Sequence, residues 1–124
     1  MKPEELSASL AGFTGTEGYL RVHPGLVLTD GAAFLAKNAG CYWLFDIIWS
    51  YLPQCRKDKM LREMQFWKLA KVAGTNKAVV TCERDTDNVA FKQEIEYTDF
   101  PLDSIKLYVQ WSGEFFVAML PSEY

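Results

Sequence analysis

Apolar residues recur every three or four positions along the first half of the chain and alternate with polar ones along the second, so two kinds of element are expected. Pro3 followed by Glu4 and Glu5 reads as a helix start, because proline tolerates the first helical position and acids favour it. Leu6, Leu10 and Phe13 continue at helical spacing, with Gly12 as the stop. "YLRVH" (19–23) and "LVLT" (26–29) read as extended, divided by Pro24 and Gly25. Thr29 or Asp30 can cap a short helix through Ala36, closed by Asn38 and Gly40. A further helix runs from about Cys41 to Leu52, apolar nearly all round and stopped by Pro53, which marks it as buried. "QCRKDKMLREM" (54–64) is polar and basic and continues as an exposed helix or turn.

From Phe66 the period falls to two. "FWKLAKV", "KAVVTCE", "VAFKQEIEYT", "SIKLYVQW" and "EFFVAML" read as five strands separated by "AGTN", "RDTDN", "DFPLD" and "SG". Val89, Phe91, Gln93, Ile95 and Tyr97 should share one face, as should Ile105, Leu107, Val109 and Trp111. Ser112-Gly113 suits a two-residue hairpin. Short links favour antiparallel neighbours. The expectation is α+β: N-terminal helices packed on one face of a mainly antiparallel sheet of about five strands. Residues 1–124 make one domain, mainly helical over 1–64 with the extended segment near 19–29, and a meander over 65–124.

Composition narrows the class. With 49% hydrophobic residues and a net charge of -3, global disorder is not expected. The aromatic share of 15% is high and points to large rings in the core or on a contact surface. "CYWLFDIIWSYL" (41–52) is too short to cross a bilayer and carries Asp46, and "MKPEELSASL" has no apolar signal core, so a cytoplasmic protein without a membrane span is expected. Three unpaired-looking cysteines (41, 55, 82) fit reduced thiols better than a disulfide framework.

Complete catalytic signatures are absent, and three residues remain as weak catalytic candidates. His23, the only histidine, is the natural general base. Cys41 follows a glycine at an expected helix start, where the helix dipole would lower its pKa. Asp46 stands among apolar neighbours and must be paired, hydrogen-bonded or protonated. For each, the structural role outweighs the catalytic one: a turn residue, a packed helix start and an anchor. Metal-ligand spacings, Walker motifs and dinucleotide fingerprints are missing, so no metal or cofactor is expected.

Charge is unevenly placed: residues 1–82 carry ten Lys/Arg against seven Asp/Glu, and 83–124 carry three against nine. Arg56, Lys57, Lys59 and Arg62 form a basic patch near Phe66 and Trp67, a pairing that can hold phosphate and stack bases. The acidic total argues against direct nucleic-acid binding, leaving a solvated helix face. Glu83, Asp85, Asp87, Glu94, Glu96, Asp99 and Asp103 form the opposite set, fit to meet a basic protein surface.

The phrases "FTGTE" (13–17), "LTDG" (28–31), "YWLFDIIWS" (42–50), "YTDFPLDSIKLYV" (97–109) and "LPSEY" (120–124) together resemble a family of small, functionally uncharacterised bacterial proteins met in plasmids, phages and genomic islands. The resemblance implies no reaction, cofactor or catalytic residue and lends Cys41 no support. It implies a mobile-element setting, in which small acidic proteins such as anti-CRISPR proteins bind and block a host macromolecule. The leading expectation is therefore a non-enzymatic module whose acidic surface meets a basic, nucleic-acid-handling host protein, such as a defence nuclease. A small enzyme centred on His23 with Cys41 or Asp46 is the alternative. An oligomeric module using Tyr108 and Phe115 is a third.

Overall fold

A computed structural model describes residues 1–124. Helix α1 (Pro3–Ala11) begins on Pro3, carries Glu4 and Glu5 in its first turn, and buries Leu6 and Leu10. Strands β1 (Tyr19–His23) and β2 (Leu26–Thr29) form a hairpin whose turn holds Gly25 at φ 84°, a backbone region open to glycine. Helix α2 (Asp30–Asn38) follows at once: Thr29 is its N-cap, and its hydroxyl accepts from the Ala32 N–H at 3.3 Å. Helices α3 (Tyr42–Lys57) and α4 (Lys59–Glu63) lead into β3 (Met64–Lys71), β4 (Ala78–Asp85), β5 (Asn88–Ile95), β6 (Ser104–Trp111) and β7 (Phe116–Met119). A 3-10 turn over Pro121–Glu123 ends the chain.

All strands join one seven-stranded sheet in the order β1-β2-β7-β6-β3-β4-β5. The expected count of about five is thus too low, because the extended segment near 19–29 adds β1 and β2. The sheet is also mixed: β2 runs parallel to β7, with Leu26 opposite Phe116 and Leu28 opposite Ala118. Every residue of "LVLT" is buried, and such a short apolar strand needs neighbours on both edges. One neighbour is local, β1; the other is the last strand of the chain.

The core lies between the helices and one face of the sheet. Leu26, Leu28, Trp67, Leu69, Val80, Cys82, Leu107, Val109, Phe116 and Ala118 point into it and meet Leu35, Leu44, Phe45, Ile48 and Leu52 from the helices. Burying these side chains at roughly 25 cal/mol per Å² of apolar surface is the main term holding the two layers together. Two buried polar groups seal the layer junction. The Gln65 amide donates to the Leu61 carbonyl at 3.0 Å and accepts from the Trp67 indole N–H at 2.8 Å, so neither is left unsatisfied.

Helix α3 departs from the sequence reading twice. It is amphipathic, burying Leu44, Phe45, Ile48, Leu52 and Cys55 while Tyr42, Asp46, Trp49 and Ser50 face outward. Exposed aromatics had hidden its polar side. It also runs through Pro53 to Lys57; the proline is exposed, so its ring is accommodated on the solvent side. In β5 a bulge opposite Cys82 and Glu83 breaks the alternation. Phe91, Gln93 and Ile95 face the core as expected, but Val89 pairs with Glu83 on the opposite face and is exposed. The hairpin after β6 is wider than two residues: Trp111 pairs with Phe116, and the Ser112 N–H donates to the Phe115 carbonyl at 2.9 Å.

Candidate functional site

Three of the phrases that carry the family resemblance converge at the start of α2, and their chemistry there is structural. The Asp30 carboxylate accepts from the Glu17 N–H at 2.8 Å, while the Asp30 N–H donates to the Thr16 hydroxyl at 3.0 Å. Thr29, rather than Asp30, is the cap. From the C-terminus, Glu123 accepts from the Thr29 hydroxyl at 2.6 Å, the Gly31 N–H at 2.9 Å and the Leu120 N–H at 3.0 Å. A carboxylate at a helix start satisfies free N–H groups and complements the dipole. "FTGTE", "LTDG" and "LPSEY" are therefore one clamp. Sequence reasoning passed over Glu123; its only signal was an acid two residues after a proline in a terminal phrase.

His23 and Asp46, distant in sequence, do meet. His23 Nε2 lies 2.6 Å from Asp46 Oδ1, and the imidazole stacks on Trp49 with ring centroids 4.4 Å apart and planes 16° apart. Strand β1 supplies the histidine, and one turn of α3 supplies Asp46 and Trp49 at a spacing of three residues, which places them side by side. The Trp49 indole N–H donates to the Pro24 carbonyl at 3.0 Å. Chemically such a pair can orient an imidazole for proton transfer at its free Nδ1. Neither residue, however, lines any of the main concavities of the surface. The clearest task of the pair is to fix Trp49.

Cys41 does not join them. It is fully buried with its Sγ 3.7 Å from the Leu35 carbonyl, and burial pushes the thiol up to about 12. The lowered pKa expected from a helix start is thus corrected: desolvation overwhelms the dipole where no water reaches the sulfur. Cys55 is likewise raised to about 12, by burial first and the Asp58 charge second, and Cys82 is raised by burial. Burial and the raised pKa together should make native alkylation of Cys41 and Cys55 at least about tenfold slower than that of a free thiol at pH 8. The lost thiolate fraction outweighs the higher nucleophilicity of the thiolate that remains. Iodoacetamide followed by intact-mass measurement should find no native adduct and three adducts in denaturant; rapid native labelling at Cys41 would contradict this packing.

The basic patch is divided. Asp58 sits within it, capping α4 through the Met60 and Leu61 N–H groups and accepting from Arg84 at 2.8 Å. The Arg84 hydrogen bond, then the Leu61 N–H, hold the Asp58 carboxyl below the usual carboxylate range. Lys59 and Arg62 belong to α4, whereas Arg56 and Lys57 end α3. The expected aromatic partners are elsewhere: Trp67 is buried in the core, and Phe66 lies on the other face of the sheet. Arg56 instead lies over the Trp111 ring, 5.3 Å from its centroid. Together with Trp49, Lys57, Glu114 and Phe116 these residues line a groove of about 610 Å³ between α3, the β1–β2 turn and the β6–β7 hairpin.

The acidic set is divided too. Glu83, Asp85 and Asp87 cluster at the β4–β5 turn, where Glu83 accepts from the Asp87 N–H at 2.9 Å. Glu94, Glu96, Asp99 and Asp103 lie at the other end of the same strands. Between these ends, across the uncovered face, Lys106 pairs with Lys68, Lys68 with Thr81, and Thr81 with Lys92. A cationic row thus separates two acidic groups about 13 Å apart along the strands, at roughly 3.3 Å per residue. Next to it, Phe66 and Tyr108 pack edge to face at 5.2 Å, and Tyr124 packs on Tyr108 at 5.7 Å. No group of three or more His, Cys, Asp or Glu side chains is arranged to hold a metal ion.

The molecule is thus a two-layer α+β domain with helices on one sheet face, an uncovered face opposite, and a cation-lined aromatic groove at one end. Residues 4–124 match the model of a "Family of unknown function (DUF6876)", and the chain belongs to that family. No curated protein and no solved structure matches it. No helix is long and apolar enough to cross a membrane.

Proposed function

We propose that this chain is a cytosolic binding module of a mobile element, which captures a basic protein surface and is not an enzyme. The observation that carries this reading is the acidic end of the sheet. Glu94, Glu96, Asp99 and Asp103 are all exposed there, and the only two ion pairs of the structure, His23–Asp46 and Arg84–Asp58, involve none of them. Four carboxylates in water with no internal partner cost little to keep and are free to meet external cations. Lys71 and Lys77 share that end of the sheet, so the acids keep a majority there. Phe66 and Tyr108 offer apolar contacts on the same uncovered face, beyond the row of lysines and next to Glu83. A partner that spans the face would meet an apolar patch between the two acidic groups. The narrower form of the proposal is that the partner handles nucleic acid and is blocked, because carboxylates on a sheet end present negative charge where phosphate would bind.

The test is charge reversal. Changing Glu94, Glu96, Asp99 and Asp103 to lysine should weaken capture of the partner at least tenfold, with most of the loss in association rate and most visible at low salt. Changing Glu4 and Glu5 on α1 to lysine alters charge as strongly for its size and should leave capture intact. Equal capture by the four-residue variant and the parent chain would remove this surface from consideration. Addition of the parent chain to a cleavage reaction of the captured partner tests the inhibitory form.

A further inference from the structure

The groove at the α3–hairpin junction is a different place from the acidic end: β6 separates them, and its eight residues span roughly 23 Å. Its walls are held before any ligand arrives. Trp49 is stacked on His23, which is hydrogen-bonded to Asp46, and is bonded through its indole N–H to the Pro24 carbonyl. That carbonyl belongs to the turn whose next residue, Gly25, accepts from the Phe116 N–H at 2.8 Å, so turn and hairpin are tied together. Trp111 packs on Phe116 with centroids 4.8 Å apart and carries Arg56 on its face. Trp49 remains 38% exposed although two contacts hold it in place, and its ring lines the groove.

Charge gives the second half of the argument. Arg56 and Lys57 line the groove, and neither is in an ion pair with any carboxylate of the chain. Glu114 lines it as well, on the hairpin, without bonding to either cation. The lining therefore carries one positive charge in excess beside two fixed indoles. A volume of about 610 Å³ is within the range of small-molecule sites, roughly 300–1,000 Å³. We propose that this groove binds a small anion with a flat ring, its ring against Trp49 and Trp111 and its phosphate or carboxylate on Arg56 and Lys57. The His23–Asp46 pair then acts as a positioning device for Trp49, which gives the only histidine a purpose without chemistry of its own.

Isothermal titration calorimetry on the full chain tests this with AMP and indole-3-acetate as ring anions carrying phosphate and carboxylate. Adenosine supplies the ring alone and inorganic phosphate the charge alone. At least one ring anion should bind with a Kd below about 1 mM, and adenosine and phosphate should each bind at least tenfold more weakly. Which of the two anions binds identifies the head group. The double variant Arg56→Gln, Lys57→Gln keeps much of the side-chain bulk and should weaken binding at least tenfold while its melting temperature stays near that of the parent. Glu114→Gln should bind as well as the parent or better. In NMR spectra the indole N–H signals of Trp49 and Trp111 should move on titration, while that of buried Trp67 stays. Binding of neither anion, equal binding of adenosine and AMP, or undiminished binding by the double variant overturns the proposal. A response to an acid-rich peptide but to neither ring anion overturns it too. Every arm is independent of protein capture at the acidic end, so the two readings fail separately.

Discussion

Glu123→Ala should lower the melting temperature by about 10 °C, corresponding to about 3 kcal/mol for a domain of this size. The carboxylate takes three hydrogen bonds at once, from Thr29, Gly31 and Leu120, and all three of these donors belong to buried residues. Removing the acceptor leaves those donors without partners in places water reaches poorly, which costs more than the bonds themselves contribute. Gly31→Ala attacks the same clamp from the other side. A Cβ on Gly31 would stand 2.5 Å from the Glu123 Oε1 and 2.7 Å from its Cδ and from the Leu120 Cδ1. The Glu123 side chain is flexible by nature but pinned here, so it can move aside only by giving up its bonds. Gly31→Ala should therefore cost about 2–3 kcal/mol in the parent chain, in the range of overpacked sites. In the Glu123→Ala background the same change should cost at least about 1 kcal/mol less, because the carboxylate contact is gone while the Leu120 contact remains. A double-mutant cycle by urea denaturation measures this. Strict additivity would show that Gly31 and Glu123 do not share one site.

The clamp also shows where sequence reading reached and where it stopped. Periodicity located α1, α2, α3 and β3 to β7, because each of these buries one face and its apolar spacing says so. It did not show that β2 lies beside β7, since a parallel pairing of segments ninety positions apart leaves no local mark. It mistook α3 for a fully buried helix, because Tyr42 and Trp49 count as apolar by type yet face solvent. The candidate site was legible only in pieces. His23 and Asp46 were both named, and their approach to 2.6 Å depends on how β1 sits against α3. The groove draws on α3, a turn near residue 25 and a hairpin near residue 113, so no stretch of sequence contains it. Cys41 failed as a nucleophile for a physical reason: a dipole lowers a thiol pKa only if the thiolate is solvated, and this one is not. The acidic set is contiguous only in the sequence: in space β-pairing inserts Lys68, Lys92 and Lys106 between its halves.

The loop between β5 and β6 supplies the sharpest test of how such unpatterned segments work. "DFPLD" reads as a turn by composition, yet Phe100 is 1% exposed and among the largest fully buried side chains. Its neighbourhood is built to deliver it. The Thr98 N–H donates to the Asn76 carbonyl at 2.7 Å, fastening the loop to the β3–β4 connection, and the Thr98 hydroxyl accepts from the Phe100 N–H at 3.1 Å. Pro101 then follows, which holds Phe100 in an extended conformation. Phe100→Ala should cost about 3–5 kcal/mol, the transfer term of a benzyl group plus the cavity it leaves. Tyr97→Ala, three residues earlier in the same loop and 71% exposed, should stay within about 0.5 kcal/mol of the parent. Thr98→Val removes only the acceptor for a buried N–H and should fall between them, at about 1–2 kcal/mol. Urea denaturation of the three variants measures the order directly, with an unchanged denaturant slope expected for each. If Phe100→Ala were as mild as Tyr97→Ala, the loop would be a passive connection. The expected order instead makes it a plug, one that closes the core from a segment with no period at all.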